Sequence, residues 1–212
     1  VELFSNDKTM EYYFKSNILN FNKLSDALSL LVSKNLKSQE INEENIIHDV
    51  GIAFTNKDII DAIEEDINEI YHKDPACNYL FQPLLFYKGF QALQAYRVAN
   101  YWAREKLGFS MYIQSIVSEK FNVDIHPNAE IGKGIMIDHA SGVVIGETAR
   151  VGDYCSIFHG VTLGGVGAEK GQRHPQIGKN VLLSANSTII GNINIGDNTK
   201  IGAGSVVLND IP

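Results

Sequence analysis

The chain has 212 residues, a formal net charge of −7 and a hydrophobic content of 44%. The negative charge argues against nucleic acid or an anionic membrane surface as a partner, since both select basic proteins. No apolar run approaches the length of a membrane span, and the first ten residues are too charged for a signal peptide, so a soluble cytoplasmic protein is expected. Cys77 and Cys155 form no CxxC pair, which favours free thiols over a disulfide.

The first part of the chain has the apolar spacing of α-helices. Helices are predicted over four segments: 22–32, 57–72, 83–107 and 110–121. The third is predicted as one long helix, with Pro83 near its first turn and Gly108 at its C-cap. Only three of the 18 glycines precede Gly132, which agrees with a helical first part. We therefore predict a helical domain over residues 1–121 that helps assembly.

A period of six residues dominates the rest of the chain. Aliphatic residues occupy every sixth position at Ile177, Leu183, Ile189, Ile195, Ile201 and Val207. This period fits neither a helix nor an alternating strand, but it fits a chain that turns a corner every six residues and stacks each coil on the one below. We predict a parallel β-helix over residues 122–212, and hence an α+β fold. Because the rhythm is still running at Pro212, a longer native chain with a C-terminal tail is expected.

The same period continues upstream with two breaks. The first break lies within Asp138–Val144 and displaces the register by two residues. The second is Gly164–Gln176, whose sequence GGVGAEKGQRHPQ is glycine-rich, charged and aperiodic; we predict an extruded loop there. Packing does not require such breaks, so functional residues are expected at both.

Four of the six histidines lie between positions 126 and 174. No two of them are as close in sequence as the three-histidine zinc site of β-helical carbonic anhydrases requires, so no metal is expected. His139, in the first break, suits a general base, because a neutral imidazole near its unperturbed pKa accepts a proton at physiological pH. Asp124 precedes it by slightly less than three hexapeptides, roughly one coil below, and is the candidate carboxylate that orients this imidazole. The alternative interpretation, which the spacing favours equally, is that Asp124 caps the turn where the last helix ends and the coil begins.

Several motifs together resemble the serine O-acetyltransferases, a family of left-handed β-helical hexapeptide-repeat enzymes. The motifs are DPACNY…PLLFYKGFQALQAYR, DIHP, GIMIDHASGVVIGETA, GVTLGG, GQRHPQIG and GNINIGDNTKIGAGSVVL. The resemblance covers about residues 74–212, whereas residues 1–73 share only a general helical character. It implies acetyl transfer from acetyl-CoA to the hydroxyl of L-serine, which gives O-acetyl-L-serine for cysteine biosynthesis. Acetyl-CoA is then a co-substrate, and no tightly bound cofactor is expected.

The resemblance also implies roles for single residues. His139 matches the general base of the family and Asp124 its carboxylate partner. The positions that hold the serine substrate are matched by Asp74, Asp138, Arg173, His174 and Gly165. The coenzyme A groove is matched by Gly165, Ala185, Lys200 and Ala203. An anionic pair suits the ammonium group of serine, and the planar guanidinium of Arg173 suits its carboxylate.

Further expectations follow from the same resemblance. The family forms homotrimers, in some cases paired through the N-terminal helices; L-cysteine is the expected feedback inhibitor, and the C-terminal tail is the expected contact with O-acetylserine sulfhydrylase. Three residues depart from the family pattern: Gln172 replaces a usual Asp, and Ser184 and Asn186 replace glycines along the coenzyme groove. Gln172 puts the charge pairing of the loop in doubt.

Two other classes of function stay open at this point. One is a hexapeptide acyltransferase that acts on a sugar or another small-molecule hydroxyl, and the other is a non-catalytic β-helix scaffold. For the chemistry, direct attack on the thioester competes with a covalent route through Cys155. That cysteine follows Val151 by four residues, at a position of small residues, so we expect it to pack inside the coil.

Overall fold

The computed structural model describes residues 7–167 and 170–212. Residues 168 and 169, in the middle of the predicted extruded loop, lie outside the described residues. The chain divides into two compact units between Lys57 and Asp58. The second unit contains both the later helices and the whole coil, and every candidate site residue lies in it.

The first unit is helical, as predicted. Its helices are α1 (Lys8–Phe14), followed directly by a π-helical turn (Lys15–Leu19), α2 (Leu24–Leu36) and α3 (Glu43–Ala53). Polar side chains cap two of them: the Asp7 carboxylate accepts from the backbone amides at the start of α1, and the Asn42 side chain does the same for α3. Such caps satisfy amides that have no partner within the helix.

Four more helices follow before the coil begins: α4 (Lys57–Lys73), α5 (Phe81–Phe86), α6 (Lys88–Trp102) and α7 (Leu107–Phe121). The prediction of one helix over 83–107 is wrong. Tyr87 has an extended backbone, with φ −95° and ψ 102°, and separates α5 from α6. Gly108 lies in the first turn of α7 and caps no C-terminus. The predicted helices over 57–72 and 110–121 are confirmed as α4 and α7.

The described residues of the coil form thirteen short strands. They are β1 (Val123–Ile125), β2 (Glu130–Ile131), β3 (Met136–Asp138), β4 (Val143–Ile145), β5 (Arg150–Val151), β6 (Ser156–Phe158), β7 (Thr162–Gly164), β8 (Gln176–Ile177), β9 (Leu182–Leu183), β10 (Thr188–Ile190), β11 (Asn194–Ile195), β12 (Lys200–Ile201) and β13 (Val206–Val207). Every third strand pairs in parallel, which gives three sheets in the orders β1-β4-β7-β10-β13, β2-β5-β8-β11 and β3-β6-β9-β12. The aliphatic residues of the six-residue period point inward; Ile145, Leu163 and Ile189 are at most 1% exposed. The predicted left-handed β-helix is confirmed.

The strand register locates both breaks. Val144 pairs with Thr162, so a regular coil is three hexapeptides long. Ile137 pairs with Ile157, so the coil that contains the first break is two residues longer, and the additional pair lies between β3 and β4. Thr162 pairs with Thr188, so the coil that contains the extruded loop is longer again, with its insertion between β7 and β8. Both predicted breaks are confirmed in position, and the first also in its displacement by two residues.

A buried ion pair joins the helices to the first coil. The Asp66 carboxylate on α4 is completely buried and lies 2.7 Å from a terminal nitrogen of Arg97 on α6. Its other oxygen accepts a hydrogen bond from the amide of Ile135, and Arg97 also donates to the carbonyl of Gly132. The helices therefore hold the segment that leads into β3 and the first break.

Candidate active site

The first break presents its residues through an unusual backbone. His139 and Ala140 are consecutive left-handed residues, with φ of 56° and 58°. The amide of Ala140 donates to the carbonyl of Asp138, and the amide of Ser141 donates to the carbonyl of His139, so each residue is bridged by a tight turn. Side chains disfavour this region of backbone space, and such strain collects at functional sites. The two extra residues turn the His139 side chain outward, where it is 73% exposed.

An open cavity of about 670 Å³, which we call the His139 cavity, lies beside this break. Asp74, Asp138 and His139 line it together with Tyr87, Lys88 and Ser141. Asp138 comes within 3.6 Å of His139 Nε2. Burial and the charge of Asp74 raise the pKa of the Tyr87 hydroxyl, which keeps it a hydrogen-bond donor. Three of the predicted substrate and base residues thus share one cavity, with two carboxylates available for a cationic group.

Asp124 occupies a different position from the one that its spacing suggested. It pairs with Val144, five residues beyond His139, because the coil between them is two residues longer than a regular one. Its carboxylate accepts a hydrogen bond of 2.7 Å from Gln114 on α7. Across the part of the chain that the structure describes, no hydrogen bond joins Asp124 to His139.

His159 is a neighbour of His139 that the sequence analysis did not single out. Its ring centroid lies 5.8 Å from that of His139, at an interplanar angle of 72°. Its Nδ1 atom is buried and has no hydrogen-bond partner among the described residues. The two histidines are as far apart in sequence as the paired residues Ile137 and Ile157. They are therefore one coil apart, and the two-residue register shift in the sequence was the signal that could have predicted this.

A second group of side chains, the Arg173 cluster, forms at the end of the extruded loop. Arg173 lies 2.6 Å from Glu147, and this contact lowers the pKa of the glutamate. His174 is 7% exposed, and its Nδ1 lies 2.8 Å from the Thr148 hydroxyl. Burial and the positive charge of Arg173 lower the pKa of His174, so its neutral form is favoured.

Two glycines give His174 its space. A methyl group added at Gly146 would overlap the His174 ring, and one added at Gly165 would lie 2.9 Å from His174 Nε2. The sequence analysis named Gly165 as a candidate site residue, but it did not name Gly146. Gln172 closes the loop by a different means from a charged pair, since its amide donates to the carbonyls of Thr148 and His174 at 2.5 and 3.2 Å.

The His139 cavity and the Arg173 cluster lie at different corners of the coil. His139 lies between β3 and β4, whereas Glu147 and Thr148 lie between β4 and β5, and Arg173 and His174 come just before β8. Within the described residues, neither Arg173 nor His174 lines the His139 cavity. One chain therefore does not bring the predicted serine-binding residues into a single cavity.

Three of the four predicted coenzyme positions lie at or next to the corner of His139 in higher coils, whereas Gly165 lies between β7 and β8, at the corner of the Arg173 cluster. Ala185 lies between β9 and β10, Ala203 between β12 and β13, and Lys200 on β12. Backbone hydrogen bonds link the coils along this corner, including Gly204 to Ala185 at 2.9 Å. Asn186, which stands where the family usually has glycine, packs against Gly160 in the coil below. Only a glycine fits there, because a methyl group at Gly160 would overlap the Asn186 side-chain oxygen.

Cys155 is packed inside the coil, as predicted. It is completely buried, and its sulfur lies 3.2 Å from the carbonyl of Gly178. Burial raises the pKa of its thiol to about 11, so the thiolate that a covalent route requires is strongly disfavoured. The structure therefore favours direct attack.

The described residues contain neither a metal-binding cluster nor a membrane-spanning helix. Over residues 7–167 and 170–212, no three histidine, cysteine, aspartate or glutamate side chains are arranged to hold a metal ion. No helix in the same residues is long and apolar enough to cross a membrane.

Comparison with known protein families identifies both halves of the chain. A model described as serine acetyltransferase, N-terminal, matches residues 1–95, and the bacterial transferase hexapeptide model matches residues 174–209. The first match shows that the family likeness includes residues 1–73, where the motifs indicated only a general helical character. Serine acetyltransferases of Buchnera aphidicola (subsp. Schizaphis graminum) and Haemophilus influenzae are each 42% identical over 100% of this chain, covering 82% and 80% of those proteins.

Solved structures of similar proteins include complexes with small molecules. Neisseria gonorrhoeae serine acetyltransferase in complex with serine has a TM-score of 0.93 and 41% identity, over 96% of this chain and 85% of that one. The Brucella abortus serine acetyltransferase in complex with coenzyme A has a TM-score of 0.96 and 38% identity, over 100% and 85%. A serine acetyltransferase in complex with cysteine has a TM-score of 0.96 and 42% identity, over 100% and 88%. The helical segments, the interrupted coil and these likenesses agree, and the chain belongs to the serine acetyltransferase family.

Proposed function

We propose that this protein transfers the acetyl group of acetyl-CoA to the hydroxyl of L-serine in the cytoplasm, and so produces O-acetyl-L-serine for cysteine biosynthesis. The observation that carries the proposal is the His139 cavity, in which a candidate base and two carboxylates, Asp74 and Asp138, face one space. A base with an anionic pair suits a substrate that carries both a hydroxyl and an ammonium group. A sugar hydroxyl needs the base but not the carboxylates.

The proposed chemistry is a direct transfer. Asp74 and Asp138 hold the ammonium group of serine, and His139 takes the hydroxyl proton as the serine oxygen attacks the thioester carbonyl carbon. Gly165 lies beside His174, so its backbone amide is supplied, like Arg173, by a neighbouring chain, and it stabilises the developing oxyanion. Collapse of the tetrahedral intermediate breaks the carbon–sulfur bond, and the leaving thiolate recovers the proton from the imidazolium of His139.

The position of Asp124 gives it a conditional part in this scheme. We propose that Asp124 leaves Gln114 and accepts a hydrogen bond from His139 when the substrates bind, which steadies the imidazolium. The 2.7 Å bond to Gln114 holds the carboxylate on the outer face of β1 until then. Hydrogen bonds at catalytic residues commonly tighten only in the substrate complex.

The separation of Arg173 from the His139 cavity supports a homotrimer. In a cyclic trimer, one corner of each coil faces a different corner of the next, so a neighbour's Arg173 and His174 complete the cavity and bind the serine carboxylate. The exposed side chain of His139 agrees with a partner that covers it. We assign the helical domain, residues 1–121, a role in pairing two trimers, while it also supplies Asp74.

The coenzyme is proposed to run along the corner above His139. Ala185 and Ala203 are small residues there, and Lys200 is the nearby cation for its phosphates. Asn186 adds a side chain to this corner where the family has glycine, but Gly160 in the coil below adds none. Only one side chain therefore lies between these two coils.

Two further partners belong to this proposal. L-cysteine shares the ammonium and carboxylate groups of serine, so it enters the serine site and inhibits by competition. O-acetylserine sulfhydrylase uses the product, and it is the proposed protein partner.

The test is the release of coenzyme A from acetyl-CoA in the presence of L-serine, compared with a panel of sugars and amines. We expect L-serine to be the preferred acceptor by at least about tenfold in kcat/KM, which is about 1.4 kcal/mol of transition-state discrimination. Preference for a sugar would establish the first alternative function. No acetyl transfer with any acceptor would favour a non-catalytic scaffold.

A further inference from the structure

We propose that Lys88 is a positioning residue that holds His139 in place through the hydroxyl of Ser141. The inference deepens the proposed function and rests on it, because it takes His139 as the base of acetyl transfer. It concerns the N-terminal end of α6, where that helix meets the first break.

The contact joins distant parts of the chain. The ammonium group of Lys88 donates to the Ser141 hydroxyl, across 53 residues of sequence. Lys88 is half-buried, and both residues line the His139 cavity. Ser141 in turn donates its amide to the carbonyl of His139 and accepts at its own carbonyl from Gly160 in the next coil, at 2.7 and 2.8 Å. A side chain held at Ser141 therefore restrains the residue two positions before it.

The next residue of α6 fixes the other side of the break. A methyl group added at Gly89 would overlap the carbonyl oxygen of Ile137 and would lie 3.1 Å from the Ala140 Cβ. The helix backbone thus lies directly against the end of β3, with no space for a side chain between them. Gly89 contacts the chain before His139, and Lys88 contacts it after His139.

Such support answers a specific need of the backbone. His139 and Ala140 are both left-handed, a conformation that L-residues disfavour because of the position of the Cβ atom. A strained segment persists only when its surroundings determine it. Without the Lys88 contact, the break gains freedom, and the imidazole spends less time where it meets the serine hydroxyl.

Lys88 has one competing role in the same cavity. It lies near Asp74 and Asp138, and its charge would also suit the carboxylate of serine. The two roles predict different kinetics. A positioning residue changes kcat and acts through Ser141, whereas a substrate ligand changes the KM for serine and acts without Ser141.

The experiment is a double-mutant cycle on the full assembly with Lys88→Met, Ser141→Ala and the double variant. We expect each single variant to lower kcat by about 10- to 100-fold, as for a misplaced catalytic group, with the KM for serine changed less than about threefold. The double variant is expected to lose no more than the worse single variant. Lys88→Arg, which keeps a donor, should recover part of the loss. Lys15→Met is the matched control, because its exposed ammonium lies outside the second unit.

Losses that multiply in the double variant, a rise confined to the KM for serine, or unchanged kcat in folded Lys88→Met protein would each overturn the proposal. A readout without turnover keeps it separate from the proposed function. In the histidine-labelled protein, the NMR signal of His139, assigned with His139→Gln, should shift or broaden in Lys88→Met. The same signal should not change in Lys15→Met. If the wild type acetylates no serine, the proposed function fails, while this spectrum still decides whether Lys88 positions His139.

Discussion

If the active site is shared between chains, two inactive variants will restore activity to each other. His139→Ala removes the base from the cavity of its own chain. Arg173→Ala removes the proposed partner of the serine carboxylate from the corner between β7 and β8. Because these residues lie at different corners, a trimer that contains both variants has one interface where an intact His139 meets an intact Arg173. Every mixed trimer, of either composition, contains one such interface.

The activity expected of the mixture follows from this arrangement. Random assembly of equal amounts gives mixed trimers in about three-quarters of cases, each with one complete site of three, so about one quarter of wild-type activity is expected in a cyclic trimer. The two variants are co-expressed with different tags, and turnover with L-serine is measured per trimer. Each variant alone is expected to be nearly inactive.

The matched control pairs His139→Ala with Asp74→Asn. Both residues line the same cavity in one chain, so no mixed trimer contains a complete site, and the mixture should stay inactive. Activity in this control, or its absence in the His139 and Arg173 mixture although mixed trimers form, would refute the shared site. The second outcome would require Arg173 to act only within its own chain.

Three further predictions concern single residues and one concerns regulation. Asp66→Ala should lower the free energy of unfolding by about 3–5 kcal/mol, because it leaves Arg97 buried without its partner. Unfolding is measured by the fluorescence of the single tryptophan. A loss below about 1 kcal/mol would contradict this prediction. His139→Ala should lower kcat by about two to four powers of ten and Asp124→Asn by less, whereas wild-type turnover in folded His139→Ala would exclude the base. The pKa of His174 is depressed by burial, so its stabilising contribution is present above its unfolded pKa, near 6.5, and is lost as the pH falls through the lower folded value. The unfolding free energy of the wild type should therefore fall more steeply below about pH 6.5 than that of His174→Gln, and equal slopes would contradict the assignment. L-cysteine should raise the apparent KM for serine without changing kcat, and inhibition that serine cannot relieve would place cysteine at another site.

The repeat and its breaks were readable from the sequence because they depend on local order. An inward residue at every sixth position is a condition that each coil must meet separately, so Ile177 and its successors predict the β-helix without further information. A break in this rhythm is equally visible, and the first break placed His139 correctly at a corner of the coil. The motifs around Asp74, Asp138 and Arg173 identified the family for the same reason, since each is a short contiguous run.

Contacts between distant segments depended on the tertiary structure. The predicted helix is divided at Tyr87, and two residues later Gly89 lies against Ile137, a contact that no periodicity within 83–107 reveals. Likewise, the partner of Asp124 was determined by α7, where Gln114 lies within 2.7 Å.

The candidate site also combines features that the sequence predicted with features that only the structure shows. The sequence by itself determined which residues are proposed to carry the chemistry, because residue type and motif set what a side chain can do. Only the tertiary structure decided that Arg173 and His139 lie at separate corners, and that His159 lies beside the candidate base. The sequence predicted the two-residue lengthening at the first break, but which residues face one another across the coils becomes known only when the strands are paired.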